Sequence, residues 1–494
     1  MDNLKVYSRN EEEMERCRAL IQMFSKDIKM EFGLSKCAVI HIKKGVIQNS
    51  LCVEGIPLLS GDDNYKYLGI LQSDTILHDK VKEKARKEYF KRVRGILKAS
   101  INASYTMDAI KTYAMPILRY GFGVLKWTQN ELRTIDTKTR KILTKHGVHH
   151  PKSSIHRLYL SRKLGGRGLI GAMDCYNQEC SALAEYFTNN TDDPLVKIVA
   201  SNESKKVYGI MSFSKGLKKR NTKDTDEYHN KSLLEMKLHG DYFKRQLAMP
   251  NVAIDLSKSW IKNAHFQFET ESLLCAAQEQ ALATKHTCTK IWKKGNDTKC
   301  RLCREHNETV HHIVSGCKML AANQYTFRHN QVGKYLHWWI LKDLGVTVND
   351  SWLKHVPLDT VTHNGIIVMW DKTILTDKKV KCNRPDITIH DTMKRECLLI
   401  DVSIPVCINV IRKEAEKITK YRDLEIEIQK CWNLRKIRTV PIVVGALGTV
   451  STGILEYIKI LSKNIEFNTV QKTALLGTAH ILRNFLTPLK NLAP

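Results

Sequence analysis

Nowhere in the 494 residues is there a run of about 18 apolar residues, the length a membrane-spanning helix needs. The longest candidate, VPIVVGALGTV, is short, is interrupted by glycine, and reads as a buried strand running into a turn. The opening MDNLKVYSRNEEEMER is charged and has no apolar h-region, so a cleaved secretory leader is not expected. The 14 cysteines lack the dense, regular spacing of a disulfide-stapled secreted domain, which points to a reducing compartment. Negative charge is scarce: 51 Asp and Glu stand against 79 Lys and Arg, a net +28 at neutral pH. Charge of that size says nothing about fold. It favours polyanionic partners, nucleic acid first, with a membrane surface as the rival.

The length suits two to four domains, each with its own core, and the 43% hydrophobic and 26% charged contents are ordinary for globular protein. Asn10 is placed to cap a helix, with Glu13 completing a capping box and Met14, Cys17, Ile21, Phe24 and Ile28 forming its stripe before Gly33 ends it. KCAVIHI, LCVEGIPLL and YKYLGIL read as three short strands. Lys80 to Lys98 is a basic helix, and its Lys80, Lys84, Lys87, Lys91, Arg92 and Arg94 are the candidate nucleic-acid contacts. Further helices run to about residue 145, with a break expected at Pro116. HGVHHPKSSIHRLYLSRKLGGRGLIG reads as a basic loop whose glycines let the backbone turn sharply. Residues 174 to 295 are mostly helical in pattern and display no recognisable chemistry.

CRLCREHNETVHHIVSGC is different. Cys300 and Cys303 form a CxxC knuckle, followed by His312 and Cys317, with His311 as the alternative imidazole. Thiolate and imidazole are the ligands zinc takes in a tetrahedron, and four of them here fall within one short segment. A structural zinc is the expectation.

RPDITIHDTMKRECLLIDVSIP holds two aspartates in short runs of β-formers. With Thr392 to Arg395 as a four-residue loop, Asp391 faces Glu396, Ile389 faces Leu398, Ile387 faces Ile400, and Asp386 faces Asp401. Ile387, Ile389, Leu398, Ile400, Val402 and Ile404 then share an apolar face, leaving Asp386, Thr388, His390, Asp401 and Ser403 on a polar one. A one-residue slip would put isoleucines on the polar face. Facing carboxylates repel unless a proton or cation relieves them. Arg412 to Trp432 reads as a helix, and VPIVVGALG as a second strand, so the crossover implies parallel pairing. Lys417 and Tyr421 share a face of that helix with Leu424 and Ile428, and Lys417 and Lys420 are expected to project over the aspartates.

Pro385-Asp386 on one strand, Asp401 on the next and then a lysine resemble the PD-(D/E)xK nuclease superfamily. Ser403 stands where the simple motif has lysine. RPD, LIDVSIP and KITKYRDL look like the variant in the restriction-like endonucleases of non-LTR retrotransposons, whose lysine comes from the following helix; Lys417, Lys420 and Tyr421 are the matching residues. The CCHC knuckle upstream is the other mark of that family. MDNLKVYS is similar to the tail of the reverse-transcriptase YxDD motif, with Asp2 as its first aspartate and Asn3 replacing the second. EFGLSKCAVI resembles the following palm motif, with Lys36, and YKYLGI the primer grip. RYGFGVLKWT, HGVHHPKSSIHRLYL and GGRGLI are similar to thumb and post-thumb segments.

The resemblance implies a multidomain chain whose N-terminal two thirds are mainly α-helical, followed by an α/β restriction-endonuclease-like domain. Its parts would be a palm remnant at 1–75, a thumb-like region at 76–180, a basic helical linker at 181–295, the zinc knuckle at 296–345 and the nuclease at 346–494. It implies Mg²⁺ or Mn²⁺ on Asp386 and Asp401, and Lys417 or Lys420 on the scissile phosphate; Asp371 in VMWDKTIL is a candidate further acidic ligand, its alternative being a solvated charge at a strand end. Its partners would be target DNA and element RNA in the nucleus, with neither a membrane nor a small-molecule substrate beyond water. Without the upstream carboxylate motif, and with Asn3, polymerase activity is not expected from this chain alone, whether it is a truncated copy or a late-started reading frame. The rival expectation is a nucleic-acid-binding relic whose cutting site is silent.

Overall fold

Two small hairpins near the N-terminus turn where glycine allows it. In the computed structural model, which describes residues 4–30, 37–48, 56–60, 63–205, 210 and 222–487, β1 (His41–Lys43) pairs with β2 (Val46–Gln48) and β3 (Tyr65–Tyr67) with β4 (Ile70–Gln72), both antiparallel. Lys44–Gly45 and Leu68–Gly69 have positive φ at both turn residues, the geometry that matches strand twist in two-residue hairpins. YKYLGIL is therefore folded back on itself rather than one strand. The expected strand LCVEGIPLL begins outside the described residues, and its described part bridges in parallel from Leu58 to Val39.

The helix Glu11–Asp27 starts at the expected cap, where the Asn10 side chain accepts from the Glu13 amide at 2.9 Å. Glu13 returns its bond to the Arg9 amide instead of Asn10, so the box is offset by a residue. No residue of this helix is buried, and Phe24 of the expected stripe is 53% exposed. Gly33 lies outside the described residues.

The next body is helical. His78–Lys98 turns Tyr89, Phe90, Val93, Ile96 and Leu97 into a core shared with Leu118, Leu132, Ile135, Leu158 and Cys175. Lys82, on the inward face of this helix, is buried and pairs with Glu131 at 2.8 Å. The break near Pro116 is present: a π turn over Ile110–Ala114 leads into a short helix that Pro116 opens, as expected where the ring removes a backbone donor.

The stretch read as a basic loop is not a surface loop. It contains the helix Ile155–Tyr159 and a 3₁₀ turn at Arg162–Leu164, and its arginines point inward. Arg157 donates to the Gly165 carbonyl at 3.1 Å and pairs with Glu279 at 3.4 Å. Arg167 pairs with Glu271 at 2.9 Å, and Arg162 also binds Glu271. Residues 174–295, which showed no chemistry in sequence, supply both glutamates of this knot. Gly166 is required by space: a Cβ there would lie 2.0 Å from the Leu160 carbonyl oxygen.

Helix makes up about 54% of the multidomain chain, and its C-terminal part holds a mixed sheet of 5 strands. The order is β5 (Thr360–His363), β6 (Ile366–Trp370), β7 (Ile387–Asp391), β8 (Glu396–Ser403) and β9 (Lys436–Val443). Neighbours are antiparallel up to β8, and β9 joins β8 in parallel after the expected helical crossover. One face of the sheet enters a large core that gathers Tyr242, Ala277, Cys300, Leu336, Ile400, Val440 and Leu482. The boundaries expected at 295/296 and 345/346 fall inside the span of that core. The opposite face, expected to be polar, carries Cys397 and Leu399 in a second small core with Tyr421, Leu424 and Ile428. A central strand next to a parallel neighbour is covered on both sides.

Candidate functional site

The hairpin register is the one the alternation demands: Asp391 pairs with Glu396, Ile389 with Leu398 and Ile387 with Ile400. The Asp386 amide adds one more bond to the Ile400 carbonyl, at 3.1 Å. Asp386 thus precedes β7, and Asp401 lies in β8 beside Pro441 of β9, both at one end of the sheet.

Asp401 is only 1% exposed. Lys417 Nζ lies 2.6 Å from its Oδ2 and Lys420 Nζ 2.9 Å from its Oδ1. The Tyr421 hydroxyl donates to Oδ1 at 2.6 Å and accepts from Lys420 at 2.7 Å. Burial works against the charged carboxylate, but the Lys417 and Lys420 ammonium groups and the Tyr421 hydroxyl outweigh it and hold Asp401 below its ordinary pKa. Burial and the same carboxylate push the Tyr421 phenol far above its ordinary range. These three residues reach Asp401 because the crossover is not a single helix. Val410–Lys420 ends and Arg422–Cys431 begins at Tyr421, whose φ of −101° and ψ of 10° break the run. The i, i+4 geometry expected between Lys417 and Tyr421 is replaced by convergence on one carboxylate.

Asp386 has a different set of partners. Its Oδ2 accepts from the Val402 amide at 2.6 Å and stands 3.0 Å from His329 Nε2. That ring nitrogen also lies 3.2 Å from the Val402 carbonyl, and Nδ1 is 3.0 Å from Asn330 Oδ1. Burial disfavours the charged ring, yet Asp386, Asn330 and Asp401 together raise His329 to about 9. An imidazolium donating from both nitrogens satisfies every contact. His329 was missed in sequence: it sits on the helix Thr326–Asp343, far from either aspartate in the chain, with no periodic or motif signal. The like-charge repulsion is therefore answered by protein cations, two lysines on Asp401 and a histidine on Asp386.

Oδ1 of Asp386 has no partner among the described residues. Magnesium binds through one or two carboxylates and completes its shell with water and phosphate oxygens; Asp386 Oδ1 is the oxygen of this pair open to such an ion, since both oxygens of Asp401 are engaged by Lys417, Lys420 and Tyr421. Asp371 is committed elsewhere, in a two-pronged pair with Arg384 at 2.8 Å on each side.

The cysteine and histidine set is brought together as expected. The ligand atoms of Cys300, Cys303, His312 and Cys317 all lie within 4.8 Å of one another, and all four residues are buried. Cys300 and Cys303 sit in a turn, His312 on the helix Val310–Ser315 capped by Thr309, and Cys317 just beyond it. Cys303 Sγ is 3.4 Å from His312 Nε2, which decides between the two histidines; His311 lies instead near Asp241 and Arg245. Backbone amides of His306 and Glu305 lower the Cys303 thiol, whereas burial lifts Cys317 to about 11. Tyr325 accepts from the Cys317 amide at 3.1 Å and donates to the Ile313 carbonyl at 2.7 Å. Such a closed set of three thiols and an imidazole fits a structural metal ion.

On the basic helix, Lys80, Lys84, Lys87, Lys91 and Arg94 are exposed. Arg92 is half-buried, paired with Glu88 at 3.0 Å and bonded to the Tyr113 carbonyl. Lys87 leans on Glu83 at 2.6 Å. Asp2, Asn3 and Lys36 lie outside the described residues. No helix among the described residues is long and apolar enough to cross a membrane. Neither a scan of protein-family models nor a search of curated proteins finds a match to this chain.

Proposed function

We propose that the Asp386–Asp401 site is a metal-dependent DNA endonuclease centre, in a chain derived from the C-terminal half of a non-LTR retrotransposon polyprotein. The observation that carries this reading is the delivery of Lys417 and Lys420, from the crossover helix, onto the strand-end carboxylate Asp401. Phosphodiester hydrolysis needs carboxylates to hold a divalent cation and cations to stabilise charge on phosphate. Mg²⁺ or Mn²⁺ on Asp386 and Asp401 would supply Lewis-acid activation. His329 and the Val402 amide hold Oδ2 of Asp386, so Oδ1 would be the oxygen available to a cation. Lys417 or Lys420 exchanges Asp401 for a scissile phosphate oxygen, while Tyr421 keeps Asp401 in place. Water's oxygen would bond to phosphorus as one of its protons passes to solvent, the P–O3′ bond would break, and O3′ would take a proton from solvent, leaving a 5′-phosphate and the 3′-hydroxyl that a reverse transcriptase extends. Zn²⁺ at Cys300, Cys303, His312 and Cys317 would brace the large core, and the basic helix would hold DNA or RNA in the nucleus.

The test is nicking of supercoiled DNA. Activity should require Mg²⁺ or Mn²⁺, stop with chelator, and vanish in Asp401→Ala while DNA affinity holds. Nicking that survives Asp386→Ala combined with Asp401→Ala would falsify the assignment. A silent, binding-only site is the second reading, favoured by one feature: both oxygens of Asp401 are already engaged by Lys417, Lys420 and Tyr421. Tight binding with no nicking of any DNA selects it. Metal analysis should find one zinc per chain, reduced in Cys303→Ser; full zinc in that variant removes the ligand assignment.

A further inference from the structure

Beside the two aspartates, between β6 and β7, the chain runs out from Asp371 and back to Arg384. Its neck is closed repeatedly. Arg384 grips both Asp371 oxygens at 2.8 Å. The Ile374 amide donates to the Asn383 carbonyl at 2.8 Å, and the Asn383 side chain donates back to the Ile374 carbonyl at 3.1 Å. The Asp371 amide donates to the Asp386 carbonyl at 2.8 Å, tying the neck to the candidate site. Ile374 is buried, and Val380 and Cys382 pack on the small core that also holds Tyr421. Nearer the tip, the Thr376 hydroxyl donates to the Lys378 carbonyl at 2.6 Å, and Cys431 Sγ donates to Asp377 at 3.4 Å. This is an anchored finger.

What it presents outward is cationic and apolar together. Lys372, Lys378, Lys379 and Lys381 are exposed, and with Asp371 engaged by Arg384 only Asp377 opposes them. Leu375 is 85% exposed, more than any other large apolar side chain among the described residues. An exposed leucine by itself is ordinary. A leucine projecting from a pinned finger, flanked by lysines and adjoining paired carboxylates, matches the wedge with which proteins unstack and kink duplex DNA while cations hold the adjacent phosphates.

We propose that the finger from Lys372 to Lys381 engages duplex DNA, with Leu375 inserting between base pairs and the lysines holding the flanking backbone. The inference builds on the reading of the neighbouring site as a DNA-cutting centre and adds how the duplex is opened there. Insertion bends the helix, so it is visible without cleavage. The full chain is mixed, in chelator, with a duplex of about 30 base pairs carrying a fluorophore at each end. Binding should bring the ends closer, and Leu375→Ala should abolish that change while lowering affinity less than about tenfold, because ion pairs with phosphate supply most of the binding. Lys378→Ala, Lys379→Ala and Lys381→Ala combined should flatten the log–log salt slope by about 2.7, or about 0.9 for each phosphate that is no longer neutralised. A Leu375→Ala chain that bends DNA like the parent overturns the wedge, as does an unchanged salt slope in the lysine variant. Leu375-dependent binding to an RNA hairpin without any DNA bend overturns the choice of partner. Leu375-dependent bending without nicking on added Mg²⁺ supports the finger and removes the nuclease reading; nicking without such bending does the reverse.

Discussion

The buried arginine knot and the strand-end carboxylate site use the same pairing chemistry to different ends. In the knot, the Arg157, Arg167, Glu271 and Glu279 side chains are at most 3% exposed. At the site, Lys417, Lys420 and His329 keep 17%, 31% and 28% exposure while their aspartates are largely covered. A cation with a route to water can leave its carboxylate for an incoming phosphate. A fully enclosed arginine cannot, because leaving would strand two charges in a low dielectric. The neighbouring histidines follow the same division. His149, beside the knot, is pushed down to about 3 by burial and by Arg167, whereas His329 is raised to about 9 by Asp386 against its burial.

Removing the carboxylate that two arginines share should have the largest effect. Glu271→Ala leaves Arg167 and Arg162 without their carboxylate, and should cost about 3–5 kcal/mol in urea unfolding. A loss near 1 kcal/mol would mean that the knot is not a structural centre. Acid should act on the knot next. Because His149 has a folded pKa below its unfolded value, burial of its neutral ring contributes stability that is complete above about 6.5. That contribution is lost as pH falls from there toward about 3, at up to about 1.4 kcal/mol per pH unit. His149→Asn should flatten this slope in unfolding midpoints measured across that range.

Asp401→Asn should be milder than Glu271→Ala, about 1.5–3 kcal/mol, since Lys417 and Lys420 can turn to solvent once unpaired. Asp401 is neutralised by its own lysines, so its loss removes attraction and not repulsion. An Asp401→Asn cost equal to that of Glu271→Ala would erase the distinction between the clusters. Tyr421→Phe is the smallest change, about 1–1.5 kcal/mol, because Lys417 and Lys420 still hold Asp401 when the hydroxyl's bonds to Asp401 and Lys420 are gone, with the ring still packed among Leu424, Ile428 and Leu399. A larger loss would show that the hydroxyl, more than the lysines, holds Asp401.

Local order was legible wherever a short-range rule was strong. The register of β7 and β8 followed from alternation alone, because a slip would have turned Ile387 and Ile400 to the wrong side. The cysteine and histidine set was legible because its ligands lie within one turn and one short helix. The hairpin within YKYLGIL was missed because a two-residue turn at Leu68–Gly69 hides inside an apolar run.

What only the tertiary structure decided is which charges face water. Composition gave a strongly basic chain, but could not separate Arg157 and Arg167, sealed against glutamates more than a hundred residues away, from the exposed lysines of the finger and of the helix His78–Lys98. Nor could it bring His329 to Asp386, since that contact crosses from one helix to the end of the central strand. Sequence patterns report period and spacing, which are local. Whether a cation is a staple or a free hand depends on the desolvation and partners that distant segments supply, and those exist only once the chain has packed.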